Sequence, residues 1–456
     1  MRQHAVVIGG SMTGLLAARV LADSFERVTI VERDILPTGA EVRNGVPQAR
    51  HLHILLARGM EILEELFPGF GKELEASGSP ELHWGKNTIA RFVTGWTPIF
   101  ESSVRTRAIS QALLEWLVRG RLLINPAISI LEHTVVDSVI TTEDNLRVIG
   151  VNINKIGMPE NTEIMKADLV VDASGRGSRA GEWLSALGYG DVQVTEINSF
   201  LGYATRWYKR PVNFPESFKS ITIGAHPPEN LRGGVIMELE NGQWVVTMAG
   251  SNKDYPPTDE DGFLEFARSL MTSEIYDAIK SAEPISGIYG YRRTENRFRH
   301  FEWFERWPEQ FIVVGDAACA FNPVYGQGMT TGALEAIALR DVLKAFSSDS
   351  PRMAQHFQRR LAKLIAIPWL MATGEDLRYP GTVGGNVTWR DRLVQKYIEN
   401  VIEIMPQNTA ATEVFFQVMN LLKSPTALFQ PFIIGVILKH ITVGRRREPE
   451  IRFPIH

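Results

Sequence analysis

The chain has 456 residues, 44% of them hydrophobic and 22% charged, as in soluble globular proteins of two or three domains. The net charge of −4 at pH 7 excludes a strongly basic surface of the kind that binds nucleic acid. The single cysteine, Cys319, excludes an internal disulfide, and no apolar run reaches the ~18 residues of a transmembrane helix, so we expect a cytoplasmic protein.

Residues 5–34 predict a β-turn-α-β unit that begins too close to Met1 to leave room for a signal peptide. An apolar strand, a glycine-rich turn, a helix and a second strand are predicted at residues 5–8, 9–14, 15–21 and 27–31. The helix N-terminus suits a pyrophosphate, and Glu32 can accept hydrogen bonds from ribose hydroxyls. Dinucleotide-binding turns commonly have the pattern G-x-G-x-x-G. Ser11 replaces the middle glycine of this pattern and is small enough to let a phosphate approach. We therefore predict a dinucleotide site.

A polar loop at residues 43–53 follows this unit. The spacing of His51 and His53 suggests a metal site, but no carboxylate or cysteine nearby completes a set of ligands, and a polar wall beside the dinucleotide is the simpler interpretation. Beyond the loop, we predict helices from Ile54 to before Pro68 and over 108–118, a strand pair within 82–100 and a hairpin at 135–136 and 148–151.

Two further apolar strands, at residues 167–172 and 311–314, end in glycine-bearing turns. Between them lie short β runs at 203–208, 220–223, 235–239 and 244–247, with Asn241-Gly242 as a hairpin signal. A helix is predicted over 261–280 and a strand over 288–293. The third turn leads into a helix to about Phe346, and the pattern from Pro351 onward is helical. We therefore expect an antiparallel sheet inserted into a parallel α/β domain.

Three glycine-bearing turns in this order resemble those of the single-component FAD-dependent monooxygenases of the aromatic-hydroxylase class. Residues 9–14 resemble the first motif of that class, Asp172-Ala173-Ser174-Gly175 with Arg179 the second, and Gly315-Asp316 the third. Ala173 stands where the class usually has glycine. Residues 326–329 resemble the segment beside the flavin ring, and Arg107 resembles an arginine that contacts the flavin phosphates.

Four segments have a narrower resemblance, to the bacterial flavin epoxidases of polyether polyketide biosynthesis, which act on a long polyene in secondary metabolism. These segments are residues 45–53, 64–69, 203–206 and 322–328. The resemblance covers most of residues 1–345 and fades in the C-terminal helices.

The resemblance implies an α/β fold with a Rossmann-like FAD-binding domain, an inserted antiparallel β-sheet substrate domain and C-terminal helices. The discontinuous FAD-binding domain is expected at residues 1–81, 101–198 and 286–350. The β-rich substrate domain is expected at residues 82–100 and 199–285, and the helical region at 351–456.

FAD is the implied cofactor and NAD(P)H the implied co-substrate, either bound transiently on the FAD-binding domain or replaced by a partner flavin reductase. The expected cofactor-binding residues are Gly9, Ser11, Met12, Thr13, Gly14, Glu32, Arg33, Arg50, His51, Arg107, Val136, Asp172, Gly315, Asp316, Gly326, Gly328 and Met329. No metal and no catalytic side chain is expected, because a flavin C4a-hydroperoxide carries the chemistry. His51, His53 and Asp316 are the polar groups expected near the ring.

The implied reaction is epoxidation, with O₂, of an alkene in an apolar, polyene-like small molecule. The alternatives are hydroxylation of an aromatic ring and an FAD-dependent isoprenoid reductase or dehydrogenase. A hydrophobic substrate pocket is expected from Trp84, Trp96, Tyr203, Met237, Trp244 and Pro323. Because alternate residues of a strand face opposite ways, only one of Tyr203 and Ala204 can point into it.

The helices from Pro351 to about Ile441 are expected to pack on both domains and to supply part of the pocket wall. Residues 432–438 are apolar and precede Arg445-Arg446-Arg447, so they have an alternative interpretation as a weak membrane anchor that collects a lipid-like substrate. A dimer interface could also cover them. Packing on the core is the favoured interpretation, because the exposed segment would be an unusual patch for a monomer.

Overall fold

The computed structural model describes residues 2–158, 161–212, 214–347 and 350–443, so the predicted segment Arg445-Arg446-Arg447 lies outside the described residues. The strands are β1 (Arg2–Ile8), β2 (Phe25–Val31), β3 (Glu81–His83), β4 (Thr88–Phe92), β5 (Gly95–Trp96), β6 (Arg105–Arg107), β7 (Ile128–Leu131), β8 (Thr134–Thr141), β9 (Val148–Lys155), β10 (Glu163–Lys166), β11 (Leu169–Asp172), β12 (Val194–Ile197), β13 (Gly202–Lys209), β14 (Ser220–Ile223), β15 (Arg232–Glu238), β16 (Gln243–Gly250), β17 (Tyr289–Tyr291), β18 (Asn296–Arg299), β19 (Phe311–Val313) and β20 (Cys319–Ala320). The helices are α1 (Met12–Leu21), α2 (Ala57–Leu66), α3 (Phe70–Ala76), α4 (Gln111–Leu122), α5 (Ala180–Ala186), α6 (Glu260–Arg268), α7 (Glu274–Ile279), α8 (Gly328–Ala345), α9 (Met353–Asp376), α10 (Trp389–Ile404), α11 (Thr409–Met419) and α12 (Pro431–Val443).

A parallel sheet in the order β19-β11-β1-β2-β7 forms the centre of the first domain. Its strands are largely apolar because helices cover the sheet. Eleven of the fourteen residues of β1 and β2 are buried, and Gln3, Glu26 and Arg27 are exposed. Ile8 pairs with Asp172, and Asp172 pairs with Val313, so three strands end side by side in register. The three glycine-bearing turns therefore meet at one edge of the sheet.

A seven-stranded sheet in the order β17-β13-β16-β15-β14-β4-β5 forms the second layer. The predicted antiparallel pairing holds except between β14 and β4, which are parallel. The difference arises because β4 belongs to an earlier segment of the chain and reaches the sheet from the first domain, not through a hairpin. One face of the sheet packs on α6 and α7 in a core that includes Trp244 and Phe263.

The helix predicted over residues 261–280 is two helices, α6 and α7, and the single-helix prediction is wrong. Serines break it between Arg268 and Glu274. The Ser269 hydroxyl donates to the carbonyl oxygen of Phe266, and the Ser273 hydroxyl donates to the Asp277 carboxylate. Such side-chain bonds compete with the helical backbone pattern.

The C-terminal helices pack on both layers, as predicted. Helix α9 contacts β19, and Phe416 of α11 packs against Trp84 and Phe100 beside the seven-stranded sheet. Asn420 accepts the N–H of Ala57 at 3.1 Å and thereby caps α2. The expected domain boundaries stay a prediction.

Residues 432–438 are only partly buried. Ile433 and Ile437 enter a small core with α10 and α11, whereas Phe432, Ile434 and Leu438 are 42%, 37% and 59% exposed. Within the described ranges, no helix combines the length and the apolar character that crossing a membrane requires. The cytoplasmic location and the weak membrane anchor stay predictions.

Candidate functional site

A cavity of about 780 Å³ lies where the carboxyl edge of the parallel sheet faces the seven-stranded sheet. The ends of β1, β2 and β11 and the turn after β19 line one side. Tyr203, Val235, Thr247 and Tyr291 line the other. In α/β proteins, the carboxyl edge of a parallel sheet is the usual place for a ligand.

The N-terminus of α1 opens onto this cavity. Ser11 precedes the helix but makes no side-chain cap, because its Oγ accepts a 3.1 Å hydrogen bond from Nη2 of Arg43. The first backbone bond of the helix runs from the N–H of Leu15 to the carbonyl of Ser11, so the N–H groups of residues 12–14 have no partner within the helix. Free N–H groups and the positive end of the helix dipole suit the phosphates of a dinucleotide.

Glu32 lies at the end of β2 on the cavity wall and is 4% exposed. Its Oε2 accepts the N–H of Gly10 at 2.7 Å, and its Oε1 accepts the N–H of Asp34 at 2.9 Å and contacts Nη1 of Arg43 at 3.2 Å. A carboxylate has about four acceptor positions. One position therefore remains for a ribose hydroxyl.

Arg43 organises the carboxylates behind this wall and was not among the expected site residues. Besides Glu32, its guanidinium contacts Asp34 at 2.7 Å and Glu115 at 2.8 Å. Burial works against its charge, but Glu115 and Glu32 outweigh burial, and the pKa of Arg43 is raised. The arginine therefore stays charged and holds both the ribose-side carboxylate and the Ser11 hydroxyl in place.

A second helix N-terminus, that of α8, opens onto the same cavity. The first backbone bond of this helix runs from the N–H of Thr331 to the carbonyl of Gln327, so the N–H groups of residues 328–330 have no partner within the helix. Gly328 and Met329 line the cavity. Their N–H groups present positive charge to this side of the cavity and could stabilise negative charge on a flavin ring.

Aromatic and hydroxyl side chains form the wall contributed by the seven-stranded sheet. The rings of Tyr203 and Tyr291 stack with centroids 5.3 Å apart, and the edge of His51 meets Tyr203 at 4.8 Å. Nδ1 of His51 lies 2.9 Å from Oγ1 of Thr205, which lies 2.8 Å from Oγ1 of Thr247 on the cavity surface.

Two histidines stand at this wall, and both are uncharged at neutral pH. Burial, together with the neighbouring His53 and Arg50, lowers the pKa of His51 to about 4. Burial also lowers the pKa of His53, which lines the cavity, to about 4. Both imidazoles are therefore weak bases.

Most of the expected cofactor residues come together at the cavity. Those that line it are Gly9, Ser11, Met12, Thr13, Glu32, Arg33, Val136, Asp316, Gly326, Gly328 and Met329. Gly14 and Gly315 pack directly behind the lining, Gly315 against Thr13. His51 stands behind Tyr203, and Arg50 lies over the ring of Tyr289 at 4.9 Å. Whether each residue contacts FAD stays a prediction.

The last two expected cofactor residues, Asp172 and Arg107, also lie off the cavity lining. The Asp172 carboxylate is fully buried and accepts the N–H of Ser174 and the hydroxyl of Ser178, so it braces the second glycine-bearing turn. Arg107 lies on β6, where its guanidinium donates to the carbonyl of Ser79 at 2.8 Å. Strand pairing with β3 holds it at that place.

Of the expected substrate-pocket residues, Tyr203 and Pro323 line the cavity, and Ala204 faces the core on the opposite side of its strand. The others pack elsewhere. Trp244 is 1% exposed and meets Phe214 on the far face of the sheet. Met237 is buried in a small core, Trp96 packs at the edge of the far-face core, and the indole N–H of Trp84 donates to Thr106.

The C-terminal helices do not reach this cavity. Within the described residues, nothing after Met329 lines it, so the predicted contribution of these helices to the pocket wall is wrong. Helices α10, α11 and α12 instead form a small core around Val401, Ile404 and Ile433, and Phe416 of α11 packs against Trp84.

Gln111, which sequence reasoning missed, carries an unused acceptor at the cavity. It is the first residue of α4, after the N-cap Ser110, and is 6% exposed. Its Oε1 is buried and has no hydrogen-bond partner in the described part of the chain. Such an atom costs about 1–3 kcal/mol when it stays unsatisfied. A ligand hydroxyl would satisfy it, so the residues present fit the ribose and pyrophosphate of FAD.

A buried glutamate lies beneath the third turn. Glu335 of α8 is 1% exposed, and its Oε2 accepts the N–H of Gly315 at 2.5 Å. Burial raises the pKa of Glu335 to about 8, from 4.5 in the unfolded chain, although the Gly315 bond works in the other direction. The stability that this group contributes is therefore fully present below pH 4.5 and is lost as the pH rises through about 8.

We expect Glu335→Gln to reduce the loss of stability between about pH 6 and about pH 9, by roughly 1.4 kcal/mol for each pH unit up to about pH 8, where the carboxyl is ionised in the unfolded chain and still protonated in the folded parent. Urea unfolding at both pH values measures this. Asp341→Asn is the matched control, because Asp341 lies on the same helix, is half exposed and pairs with Arg360. Equal pH slopes for Glu335→Gln and the parent would contradict the prediction.

Comparison with known proteins agrees with this site. A family model described as an FAD binding domain matches residues 2–353. Protein Rv3254 of Mycobacterium tuberculosis (strain ATCC 25618 / H37Rv) is 34% identical over 386 residues, which cover 83% of this chain and 81% of that protein.

Two solved structures illustrate the shared fold. CmlS, a flavin-dependent halogenase, matches with a TM-score of 0.64 and 15% identity over 97% of this chain and 78% of its own. PqsL, a probable FAD-dependent monooxygenase from Pseudomonas aeruginosa, matches with a TM-score of 0.61 and 15% identity over 82% of this chain and 97% of its own. The expected fold class, a Rossmann-like domain with an inserted sheet and C-terminal helices, is thereby confirmed.

The family match includes all three glycine-bearing turns and both helix N-termini at the cavity. The chain therefore belongs to the family of proteins with this FAD binding domain and is an FAD-dependent enzyme.

Proposed function

We propose that the chain is a monooxygenase that uses FAD, NAD(P)H and O₂ to epoxidise an alkene of an apolar, polyene-like substrate. One observation carries the proposal. Two helix N-termini and the Glu32 carboxylate converge on a single cavity whose opposite wall is built from Tyr203, Val235 and Tyr291. The first wall suits a dinucleotide, and the second suits an apolar molecule.

In this proposal, each end of the cavity binds a different part of FAD. The N–H groups of residues 12–14 would bind the pyrophosphate, and Glu32 and Gln111 would bind ribose hydroxyls. The N–H groups of residues 328–329 would face the flavin ring. When bound, FAD supplies the oxidation chemistry, with transfer of one oxygen atom of O₂ to the substrate. The protein orients the substrate and keeps water away from the reacting atoms.

The segments with the epoxidase resemblance support the alkene substrate. Three of the four, residues 45–53, 203–206 and 322–328, contribute cavity-lining side chains, although they are far apart in the chain. The fourth, residues 64–69, packs on α1, where the carbonyl of Leu66 accepts a hydrogen bond from Arg19. A shared substrate class would produce such likeness in segments that are far apart in the chain and meet at one cavity.

The neutral histidines favour epoxidation over the alternative, hydroxylation of a phenolic ring. A phenol becomes a better acceptor of oxygen when a base removes its proton. His51 and His53 are weak bases, because the pKa of each is about 4. An alkene has no such proton to lose, so it requires no base at this wall.

Fold likeness does not choose among reactions, because the structural relatives include a halogenase and a dehydrogenase. A reductase or dehydrogenase that acts on an isoprenoid is the alternative from another reaction class. The reductant is NAD(P)H bound on this chain or electrons from a partner flavin reductase. A separate nicotinamide-binding unit would begin with glycines in a turn between a strand and a helix. Gly233 and Gly234 lie within β15, and residues 384–385 lie between α9 and α10, so neither glycine pair begins such a unit.

Incubation with FAD, NAD(P)H, ¹⁸O₂ and a panel of linear polyenes tests the proposal. We expect one ¹⁸O atom in the product, and an epoxide carbon pattern in its NMR spectrum. Reductant consumption with no ¹⁸O in an altered product would replace the proposal with the reductase or dehydrogenase. A phenolic product from aromatic substrates alone would replace it with the hydroxylase. A reaction with added flavin reductase shows whether the electrons come from a partner protein. A reaction with H₂O₂ in place of the reductant shows whether free peroxide, released without oxidation of the substrate, forms the product.

A further inference from the structure

A buried carboxylate outside the family domain reaches the cavity loop. Asp376 is the last residue of α9, beyond the family match at residues 2–353, and its side chain is fully buried. A charged group is costly to bury unless hydrogen bonds compensate, so its partners show what it is used for.

Four donors from three other segments surround Asp376. Its Oδ1 accepts the hydroxyls of Tyr325 at 2.6 Å and Ser199 at 3.0 Å. Its Oδ2 accepts Nδ2 of Asn296 at 2.6 Å, and Nδ2 of Asn322 lies 3.2 Å from Oδ1. Burial raises the pKa of Asp376 to about 6, against the effect of the Tyr325, Ser199 and Asn322 hydrogen bonds, so the group is ionised at neutral pH.

Two of these donors belong to the loop that enters α8. Asn322 and Tyr325 flank Pro323 and Val324, which line the cavity. The N–H of Asn322 also donates to Oδ1 of Asn296 at 2.7 Å, so Asn296 joins the loop to the carboxylate. Immediately after Tyr325, the chain turns at Gly326 and presents the free N–H groups of α8 to the cavity. Asp376 thus fixes the segment that delivers them.

We propose that Asp376 is a positioning residue that fixes residues 322–328 against the cofactor, so that the C-terminal helices determine how FAD is held. The inference rests on the proposal that FAD fills this cavity. It assigns α9 a role that the family domain does not contain. An apolar side chain of similar volume would fill the same space, but it would leave Asn322, Asn296 and Tyr325 without a common acceptor.

The test compares Asp376→Leu with Asp376→Asn. For Asp376→Leu, we expect the FAD dissociation constant to rise about tenfold or more, with a changed visible circular dichroism spectrum at saturating FAD. For Asp376→Asn, we expect recovery to within about threefold, because the Tyr325 and Ser199 hydroxyls can reverse and accept from the new amide. Fluorescence titration of the apoprotein with FAD measures the affinity, and the melting temperature measures the stability of each variant.

Glu375→Gln is the matched control, because Glu375 is the neighbouring carboxylate on α9 and pairs with Arg378, not with the loop. It should leave affinity and spectrum unchanged. A lower melting temperature for Asp376→Leu, with parent-like FAD affinity and spectrum, would show that Asp376 only stabilises the fold and would overturn the inference. A parent protein that binds no FAD would instead overturn the proposed function.

If Asp376→Leu does not fold, Tyr325→Phe decides the question, because it removes one hydroxyl and keeps the ring. We expect a smaller rise in the FAD dissociation constant, about threefold, and a shift of the visible spectrum in the same direction. Parent-like affinity and spectrum for Tyr325→Phe would then overturn the inference.

Discussion

Replacing Gly14 by alanine is expected to abolish retention of FAD during purification. Gly14 lies in the first turn of α1, and a Cβ at this position would stand 1.9 Å from the carbonyl oxygen of Gly9. The obstacle is backbone, so it cannot rotate away. The helix would have to move off the end of β1, and with it the N–H groups that face the cavity.

Two opposing effects on the free energy of unfolding are expected for Gly14→Ala. Alanine at a helix interior is favoured over glycine by about 1 kcal/mol. Overpacking a close contact costs about 1–3 kcal/mol and more where backbone must shift. We therefore expect Gly14→Ala to lower the free energy of unfolding by about 2 kcal/mol net. Loss of the anion-binding geometry should raise the FAD dissociation constant by more than tenfold, measured by fluorescence titration.

Gly177→Ala is the control for this prediction. Gly177 also lines the cavity, and a Cβ there would meet no atom within 4 Å. It should keep FAD affinity and stability near those of the parent. If Gly14→Ala retained FAD as well as Gly177→Ala, close packing of α1 on the Gly9 turn could not be the basis of the site.

The backbone of the site could be predicted from the sequence because short stretches determine it. Each glycine-bearing turn follows an apolar strand within a few residues, and parallel pairing of three such strands places the turns together. Gly9 shows how local the signal is: its φ of +100° favours glycine, and a Cβ would stand 2.6 Å from the carbonyl oxygen of Ala173 in the second turn.

The side chains that complete the site could not be predicted, because their partners are distant in the sequence. Arg43 meets Glu115, and Asp376 reaches a loop some fifty residues earlier. Gln111 carries a side-chain oxygen that has no partner within the described ranges, so no contact in the sequence marks it. No periodicity or motif records such contacts. For Arg107, the resemblance in sequence predicts a contact with the flavin phosphates, whereas in the structure its guanidinium donates to the carbonyl of Ser79 and its strand pairs with β3.

Replacing Arg43 by methionine is expected to lower the free energy of unfolding by about 3–5 kcal/mol, the cost of removing one partner from a buried charge cluster. The side chains of Arg43, Glu32 and Glu115 are 6%, 5% and 8% exposed. Methionine keeps the length of the stem and removes the charge, so Glu32, Asp34 and Glu115 would lose their shared cation, and Glu115 would keep the 4.0 Å contact with Arg119. Urea unfolding at neutral pH measures the loss.

The loss should grow as the pH rises. Burial already raises the pKa of Glu115. Without Arg43, the carboxylates of the folded variant would take up protons more readily than those of the unfolded chain. Stability would then be retained at low pH, where they are protonated, and would be lost as they ionise. Arg43→Met/Glu115→Gln should recover part of the loss at neutral pH, because it removes one of the three negative charges of the cluster.

FAD binding should weaken in the same variant, through Ser11. With Nη2 of Arg43 gone, the Ser11 hydroxyl is free to accept the helix N–H groups that a pyrophosphate would otherwise bind. Arg179→Met is the matched control, because Arg179 also lines the cavity but is 50% exposed, and its partner Asp137 is 58% exposed. Arg179→Met should lower the free energy of unfolding by no more than about 1 kcal/mol. If the Arg43→Met variant were no less stable than Arg179→Met and bound FAD with equal affinity, the carboxylate cluster around Arg43 would have no role in stability or in FAD binding.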